Sequence, residues 1–290
     1  MKDYIIVTDS TSDLPEEIIE SLGIKVISLT YEIEGKSYAD DPKESELSLH
    51  EFYEKLRRGE RSVTSLVNTG AFIEFFIPML KDGYDILYIA FSSALSGTYN
   101  SSLLAIDELK EDYPDSKIIA IDSKAASVGE GLLVYTAAKK KEAGMDIEEL
   151  KEWVLQNMLK VCHWFTVDDL NHLKRGGRVS AISATIGTAL NVKPILHVDN
   201  EGRLIPMSKV RGRKKSICGL FDHMVQTCTN PQDQIVFIGH GDSREDAEFL
   251  AEQIRKKLHV KDVVITYIGP VIGTHSGPGT IALFYFGTER

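Results

Sequence analysis

The feature that most constrains the fold of this chain is an alternation, over its first half, of short β-branched segments with longer amphipathic ones. Tyr4 to Thr8, Ile86 to Phe91 and Ile118 to Ile121 have the composition of buried strands. Segments with helical periodicity follow them, such as Tyr99 to Glu111. This alternation is typical of βαβ units. The sequence therefore predicts an α/β fold with a parallel, doubly wound N-terminal domain.

From Ile147 onward the pattern changes, because antiparallel signals interrupt the helices and the connections become longer. Lys193 to Val198 and Arg203 to Val210, joined by Asn200-Glu201-Gly202, have the pattern of a β-hairpin. We therefore predict an N-terminal α/β domain over residues 1–146 and a C-terminal α/β domain over residues 147–290. The second domain is expected to contain a mixed or antiparallel sheet.

Some local predictions concern segments that could carry a site. Ile24 to Tyr31 is predicted to be one strand, Thr64 to Gly70 a polar loop that opens a helix, and Ser180 to Ala189 an apolar helix. His275 falls in the segment Gly273 to Gly279, where glycines and a proline predict an irregular loop between two strands. An imidazole in such a loop, neutral or protonated, could donate a hydrogen bond to a carboxylate.

Composition excludes several classes of protein. With 43% hydrophobic and 26% charged residues among 290, the chain has the make-up of a globular protein. The longest uncharged stretch, Val179 to Val192, is interrupted by polar residues, and the N-terminus lacks the apolar region of a signal peptide. Three cysteines without CxxC spacing are interpreted as buried free thiols in a reducing compartment. These features predict a cytoplasmic protein.

The charge is unevenly distributed along the chain. The formal net charge is −10, which disfavours nucleic acid as a partner. Residues 174 to 215, however, include ten basic residues and two acidic ones. The net charge of this segment is therefore +8, and that of the remainder is −18. The basic segment is either a solvated face or a surface that meets an anionic partner. Its basic residues are Lys174, Arg175, Arg178, Lys193, Arg203, Lys209, Arg211, Arg213, Lys214 and Lys215.

Loops rich in hydroxyl groups follow several predicted strands. They are Thr8 to Ser12, Ser92 to Thr98 and Asp122-Ser123. In a doubly wound sheet such loops lie together at the carboxyl ends of the strands, where ligands bind and helix N-termini offer free N–H groups. Helix capping alone also explains these residue types. Their number favours a shared binding site for an anionic group.

Familiar catalytic patterns are missing from the sequence. It has no phosphate-binding Walker loop, no GxSxG nucleophile elbow and no HExxH zinc motif. Cys162 and His163 are adjacent, so in a strand their side chains point to opposite faces. The chain is predicted not to be an enzyme and to need no metal or cofactor. Two alternatives stay open: a serine-dependent hydrolase or acyltransferase using the 92–96 loop, and a domain that senses a small anionic metabolite.

Short motifs spread over essentially the whole chain form a family resemblance. They are VTDSTSDLP near the start, the Thr64-Ser65 pair ahead of a helix, SSALSGTYNS at 92 to 101, IDS at 121 to 123, LKRGGRVS at 173 to 180, KPIL at 193 to 196 and HSGPGT at 275 to 280. In order and spacing the chain resembles the DegV family. One departure is Leu66-Val67-Asn68, where the family usually has a Gln-Pro-Ser run, and this leaves the role of Asn68 open.

The resemblance implies a function and a set of site residues. Members of the family hold one long-chain fatty acid in a tunnel between two α/β domains, and in bacterial fatty acid kinase systems they present its carboxylate to a kinase subunit. The basic segment would then be available to the kinase or to an anionic membrane surface. The residues expected at the carboxylate are Thr64, Ser65, Ser92, Ser93, His275 and Ser276.

Overall fold

The computed structural model describes residues 2–43, 46–178, 191–288 and 290. The apolar helix predicted over Ser180 to Ala189 lies outside the described residues. Within the described ranges, no helix has the length and the apolar character that crossing a bilayer requires.

Strands and helices alternate along the described chain. The strands are β1 Tyr4–Asp9, β2 Lys25–Ile27, β3 Thr30–Ile33, β4 Lys36–Ala39, β5 Ser62–Ser65, β6 Asp85–Ala90, β7 Ile118–Asp122, β8 Val161–Thr166, β9 Val192–Val198, β10 Leu204–Arg211, β11 Ile235–His240, β12 Asp262–Tyr267 and β13 Ile281–Phe286. The helices are α1 Glu16–Ser21, α2 Leu49–Arg57, α3 Thr69–Lys81, α4 Thr98–Asp112, α5 Val128–Glu142, α6 Ile147–Asn157, α7 Leu170–Gly176, α8 Arg213–Thr227, α9 Arg244–Leu258 and α10 Pro270–Ser276.

The first sheet has the strand order β2-β1-β6-β7, and all its pairings are parallel. Strand β6 is buried along its whole length, as expected for a central parallel strand covered on both faces. Phe72 and Phe76 of α3 and Ile106 of α4 pack on one face, while Leu132 of α5 lies in the core on the other. The prediction of a parallel, doubly wound sheet is confirmed.

The second sheet has the order β10-β9-β8-β13-β11-β12. Only β11 and β12 pair in parallel, and the other pairings are antiparallel. Leu220 of α8 and Leu250 of α9 belong to the core on its outer face. The predicted mixed sheet and the β9–β10 hairpin are therefore present. Strands of the first sheet precede residue 146 and those of the second follow it, but the domain boundary stays a prediction because α5 contacts both sheets.

A third, antiparallel sheet of order β4-β3-β5 was not expected from the sequence. The single strand predicted over Ile24 to Tyr31 is instead two strands, β2 and β3, and the predicted loop at Thr64 begins inside β5. Glu34 and Gly35 both have positive φ, so they form the tight turn that joins β3 to β4. Strand β5 pairs with β3 on one side only and is an edge strand.

Helix α5 packs between the first and second sheets, and its glycines permit the close approach. A Cβ on Gly129 would lie 2.3 Å from Nε2 of His163 on β8, and one on Gly131 would lie 2.5 Å from the carbonyl oxygen of Ser12. Glu130, between these glycines, is fully buried and accepts hydrogen bonds from Thr8 and Thr11. The spacing of the two sheets thus depends on small residues in the first turn of α5.

Asp9, at the end of β1, organises the strand-end loops. One carboxyl oxygen accepts from Oγ1 (2.5 Å) and the backbone N–H (3.2 Å) of Thr11. The other accepts from the Tyr88 hydroxyl (2.7 Å) and the Phe91 N–H (3.0 Å). Because Asp9 is fully buried, desolvation raises its pKa, and these four hydrogen bonds offset part of that effect.

We expect Asp9→Ala to lower the free energy of unfolding by about 3 kcal/mol or more, since buried donors on Thr11, Tyr88 and Phe91 lose their acceptor at roughly 1–3 kcal/mol each. Chemical denaturation measures the change. Asp107→Ala is the control, because this carboxylate is 73% exposed and pairs only with Lys110 at the surface, and it should cost less than about 0.5 kcal/mol. Equal losses in the two variants would contradict the role given to Asp9.

Candidate functional site

A cavity of about 190 Å³ lies between the two large sheets, at the carboxyl ends of the parallel strands. Both halves of the chain contribute to its walls, which are mostly apolar. A wall of this kind favours the alkyl part of a ligand. The apolar lining residues are Leu29, Leu66, Phe91, Leu95, Ala126, Phe165, Leu173, Val198, Leu204, Ile268, Val271, Ile272, Ala282 and Phe284.

One part of the cavity wall is polar and combines β5 with the end of α10. Thr64 and Ser65 come from β5, while His275 and Ser276 close α10. The Thr64 Oγ1 lies 3.0 Å from His275 Nε2. One residue earlier on the helix, the Thr274 hydroxyl donates to Oγ of Ser62 at 2.8 Å. Two adjacent hydrogen bonds therefore join α10 to β5.

His275 lies on a helix, which corrects the loop predicted over Gly273 to Gly279. Pro270 occupies the first turn of α10, where its missing N–H costs nothing. The helix continues through Gly273 and ends where Gly277 takes φ +80°. The glycines at 277 and 279 stop the helix, whereas the one at 273 lies within it. A Cβ on Gly273 would meet the Tyr53 hydroxyl at 2.6 Å, so this glycine permits close packing.

Two polar atoms in this wall are buried without a hydrogen-bond partner among the described residues. They are Nδ1 of His275 and Oγ of Ser276. Gly176 makes room for the ring, because a Cβ there would lie 2.1 Å from His275 Nδ1. A buried polar atom that stays unpaired costs free energy, so an oxygen-bearing ligand at this wall would gain by pairing with it.

The charge at this wall is small and positive. Arg178 is the only lining residue with a permanent charge in the described part of the chain, and its Nε donates to the Leu95 carbonyl at 3.3 Å. Burial, together with the nearby Arg178 guanidinium, lowers the pKa of His275 to about 4. The imidazole is therefore neutral at physiological pH. One cation and several neutral polar groups suit a ligand with a single negative charge.

Ser92 and Ser93, expected at the carboxylate, do not line this cavity. The Ser92 hydroxyl is buried and donates to the Gly202 carbonyl at 2.9 Å, tying the strand-end loop to the β9–β10 hairpin. The Ser93 hydroxyl accepts from Lys124 Nζ at 3.3 Å. Of the same loop, Ser96 lines the cavity instead. The sequence indicated this loop as part of the site, but it does not show which of the serines lines the cavity.

Other lining residues were absent from the predicted set. Arg178 stands in the LKRGGRVS motif and in the basic segment, so a signal for it existed. Ser127 has φ +55° and donates to the buried Asp13, and no local sequence pattern marks it. Asn68, whose role was left open, caps α3 by accepting from the Ala71 N–H at 2.9 Å.

The described contacts of the 92–96 loop do not pair a serine with a base. The Ser96 hydroxyl lies 2.9 Å from the hydroxyl of Thr98, and no serine between 92 and 96 has a histidine partner among the described contacts. Cys162 packs in the outer core of the second sheet, whereas His163 lines the cavity, as opposite faces of a strand require. Neither this loop nor the Cys162–His163 pair therefore supplies a nucleophile next to a base among the described contacts.

Comparisons with known proteins agree with this geometry. A family profile described as "Uncharacterised protein, DegV family" matches residues 4–288. A DegV domain-containing protein of Clostridium perfringens is 50% identical over 290 residues, covering 100% of this chain and 99% of the relative. A DegV lipid-binding protein from Thermotoga maritima superposes with a TM-score of 0.87 at 32% identity, covering 100% of both chains. A fatty-acid-binding DegV protein from Thermus thermophilus gives 0.89 at 28% identity, covering 98% and 99%.

We expect the ligand-free protein to keep His275 neutral from pH 8 down to about pH 5, with a titration midpoint near 4. Because the unfolded chain takes up this proton near pH 6.5, the stability contributed by the buried neutral ring is fully present above that pH and is lost as the pH falls towards 4. Histidine Cε1 chemical shifts, assigned by loss of one signal in His275→Asn, give the midpoint. A midpoint above 6 would contradict the burial argument.

Proposed function

The chain belongs to the DegV family, and on that premise we propose that it binds one long-chain fatty acid and presents the carboxylate to a partner. The observation that carries this proposal is the cavity between the sheets, which is apolar over most of its wall and polar at the Thr64–His275 pair. Related proteins from Thermotoga maritima and Thermus thermophilus, described as lipid-binding and fatty-acid-binding, support it.

The alkyl chain supplies most of the binding free energy. Burial of an acyl chain of about sixteen carbons gives a gross gain on the order of 10 kcal/mol, at about 0.8 kcal/mol per CH₂. A ligand held so strongly dissociates slowly, so a carrier needs a mobile segment or a partner that opens the site. This favours transfer to a partner over free exchange with water.

The carboxylate fits the polar wall by hydrogen bonding and charge. If Nε2–H of His275 donates to Oγ1 of Thr64, the threonine hydroxyl is free to donate to the ligand. The unpartnered hydroxyl of Ser276 supplies another donor, and Arg178 supplies the positive charge. We include Ser65 because it lines the same wall. Ser92 acts one layer away, by tying the loop that carries Ser96 to the Gly202 carbonyl, whereas the Ser93 hydroxyl contacts Lys124 outside the cavity.

We propose that the partner that receives the carboxylate is a fatty acid kinase subunit. The basic segment would contact this subunit or an anionic membrane surface. The structure divides this segment into two groups. Arg203 pairs with Asp199 and Glu201, and Arg213 pairs with Asp246 within the fold. Lys193 pairs with Asp168. Lys174, Arg211 and Lys215 are exposed and have no carboxylate partner among the described residues. These exposed cations are available to a partner.

A cytoplasmic location is part of the same proposal. Cys162, Cys218 and Cys228 are free thiols, as expected for a chain kept in a reducing compartment. The alternative of a serine hydrolase has no support in the contacts of the 92–96 loop.

Denaturing extraction of freshly purified protein should release about one long-chain fatty acid per chain, because the cavity holds a single polar wall. Mass spectrometry of the extract identifies the ligand, and native mass spectrometry gives the ratio. Release of a nucleotide or sugar phosphate in that ratio would refute the proposal, as would ester turnover by a protein that contains no ligand.

Thr64→Val, His275→Ala and Ser276→Ala should each weaken fatty acid binding to the delipidated protein by about 1–3 kcal/mol. Thr64→Val and Ser276→Ala each remove a donor to the buried carboxylate, and His275→Ala removes the ring that orients the Thr64 hydroxyl. Displacement of a fluorescent fatty acid measures the loss. Ser93→Ala is the matched control, since its hydroxyl contacts Lys124 outside the cavity, and it should bind like wild type. If all three variants bind as tightly as the control, the polar wall does not hold the carboxylate.

Reversing Lys174, Arg211 and Lys215 to Glu should weaken association with vesicles containing phosphatidylglycerol on the order of a hundredfold, at about 1 kcal/mol per cation. Retained fatty acid should be unchanged. The control reverses Lys25, Arg58 and Lys81, which are exposed residues outside the segment. Wild-type association should also fall between about 50 and 500 mM salt. If the Lys174→Glu/Arg211→Glu/Lys215→Glu variant binds vesicles as tightly as wild type and supports kinase-coupled phosphorylation at the wild-type rate, the basic segment is only a solvated face.

A further inference from the structure

One polar atom in the lining of the cavity lies away from the wall that is proposed to hold the carboxylate. It is Nε2 of His163 on β8, a residue that lines the cavity and is 1% exposed. This nitrogen has no hydrogen-bond partner among the described residues. Because a buried polar atom without a partner costs free energy, a ligand that pairs with it gains binding free energy.

The protonation of the ring makes this nitrogen an acceptor. Nδ1 of His163 lies 2.8 Å from the Val161 carbonyl oxygen, which can only accept, so Nδ1 carries the proton. Burial and the nearby Arg290 guanidinium hold the pKa of His163 well below its usual value, and the ring is therefore neutral. A neutral imidazole with its proton on Nδ1 keeps a lone pair on Nε2. The missing partner of Nε2 is therefore a hydrogen-bond donor.

A glycine leaves this nitrogen uncovered on the side of helix α5. A Cβ on Gly129 would lie 2.3 Å from Nε2 of His163, so any other side chain at this position would cover the nitrogen. The Phe284 ring packs perpendicular to the imidazole, with a centroid separation of 5.3 Å, and supplies no polar donor. The donor that these neighbours do not provide can come from a molecule in the cavity.

The register of β8 and β13 gives the distance of His163 from the polar wall. Thr280 lines the cavity just before β13 and donates to the Ser276 carbonyl at 3.0 Å, so it marks the polar wall. Ala282 and Phe284 line the cavity farther along β13, and His163 pairs with Phe284. Four residues of a strand span about 13 Å, the reach of roughly ten carbons of an extended alkyl chain. His163 therefore lies beside the middle of an acyl chain whose carboxylate is at the polar wall.

We propose that the cavity binds a long-chain fatty acid that carries a hydroxyl group near the middle of its alkyl chain, with Nε2 of His163 as the acceptor of the hydrogen bond from that hydroxyl. The proposal rests on the proposed function, because the carboxylate must occupy the polar wall for the hydroxyl to reach this nitrogen. An unsubstituted chain places a methylene group against Nε2 and leaves it unpaired. His163 thus determines which acyl chains the cavity favours.

Calorimetric titration of the delipidated protein compares 10-hydroxystearic acid with stearic acid. His163→Phe should weaken binding of the hydroxy acid at least about tenfold, because its hydroxyl is then buried without an acceptor, and should leave stearic acid within about threefold. His163→Asn should give the same result, since its amide still donates to the Val161 carbonyl but is too short to replace Nε2. The matched control is His223→Phe, because this imidazole stacks on Trp164 at 3.5 Å and does not line the cavity. The control should bind both acids like wild type.

Nitrogen NMR on the wild-type protein gives a readout that does not depend on how well a variant folds. The signal of unprotonated Nε2 of His163, assigned through bonds to its own backbone, should move upfield when 10-hydroxystearic acid replaces stearic acid. Such a shift reports the new hydrogen bond to the lone pair of this nitrogen. An unchanged signal would overturn the proposal.

The other outcomes separate this proposal from the function on which it rests. Equal weakening of both acids by the His163 variants would show that the ring only shapes the cavity, and unchanged binding of the hydroxy acid would show that its hydroxyl pairs elsewhere. Either result overturns the proposal and leaves fatty acid binding intact. Failure of wild-type protein to bind stearic acid would instead refute the proposed function itself.

Discussion

Close packing of helix α5 between the two large sheets is the constraint on which the rest of the structure depends. Gly129 and Gly131 let the sheets approach, and Glu130 between them is anchored by the hydroxyls of Thr8 and Thr11. Ser127, which directly precedes α5, lines the cavity. The helix itself packs in the core that it shares with the second sheet. Because contacts between α5 and both sheets fix this spacing, the cavity is a property of the assembled layers and not of one loop.

Much of the fold followed from periodicity, because parallel strands covered on both faces are uninterrupted apolar runs, as in β6. The three-stranded sheet was missed for a physical reason. Each of its strands is only four residues long, and a strand of four residues with one buried face leaves only two apolar positions, Tyr31 and Ile33 in β3. The turn at Glu34-Gly35 was its only local signal, since glycine tolerates positive φ and marks a hairpin.

The site was predictable as a set of segments, but only in part as a set of side chains. Thr64, Ser65, His275 and Ser276 do meet at one wall, although residues 64 and 275 are distant in sequence. A loop of consecutive hydroxyls does not reveal which one faces inward, and Ser92 is turned away by its bond to the Gly202 carbonyl. Side-chain direction in an irregular turn is set by tertiary partners that no local pattern contains.

The position of β5 at the edge of its sheet has a mechanical consequence. An edge strand is restrained by one neighbour, so it moves at lower cost than a central strand. Thr64 on this strand lines both the apolar cavity and a neighbouring cleft, which Arg61 and Arg175 also line, and Leu66 just beyond it is 47% exposed. A displacement of β5 therefore changes the shape of the cavity and of the neighbouring cleft together.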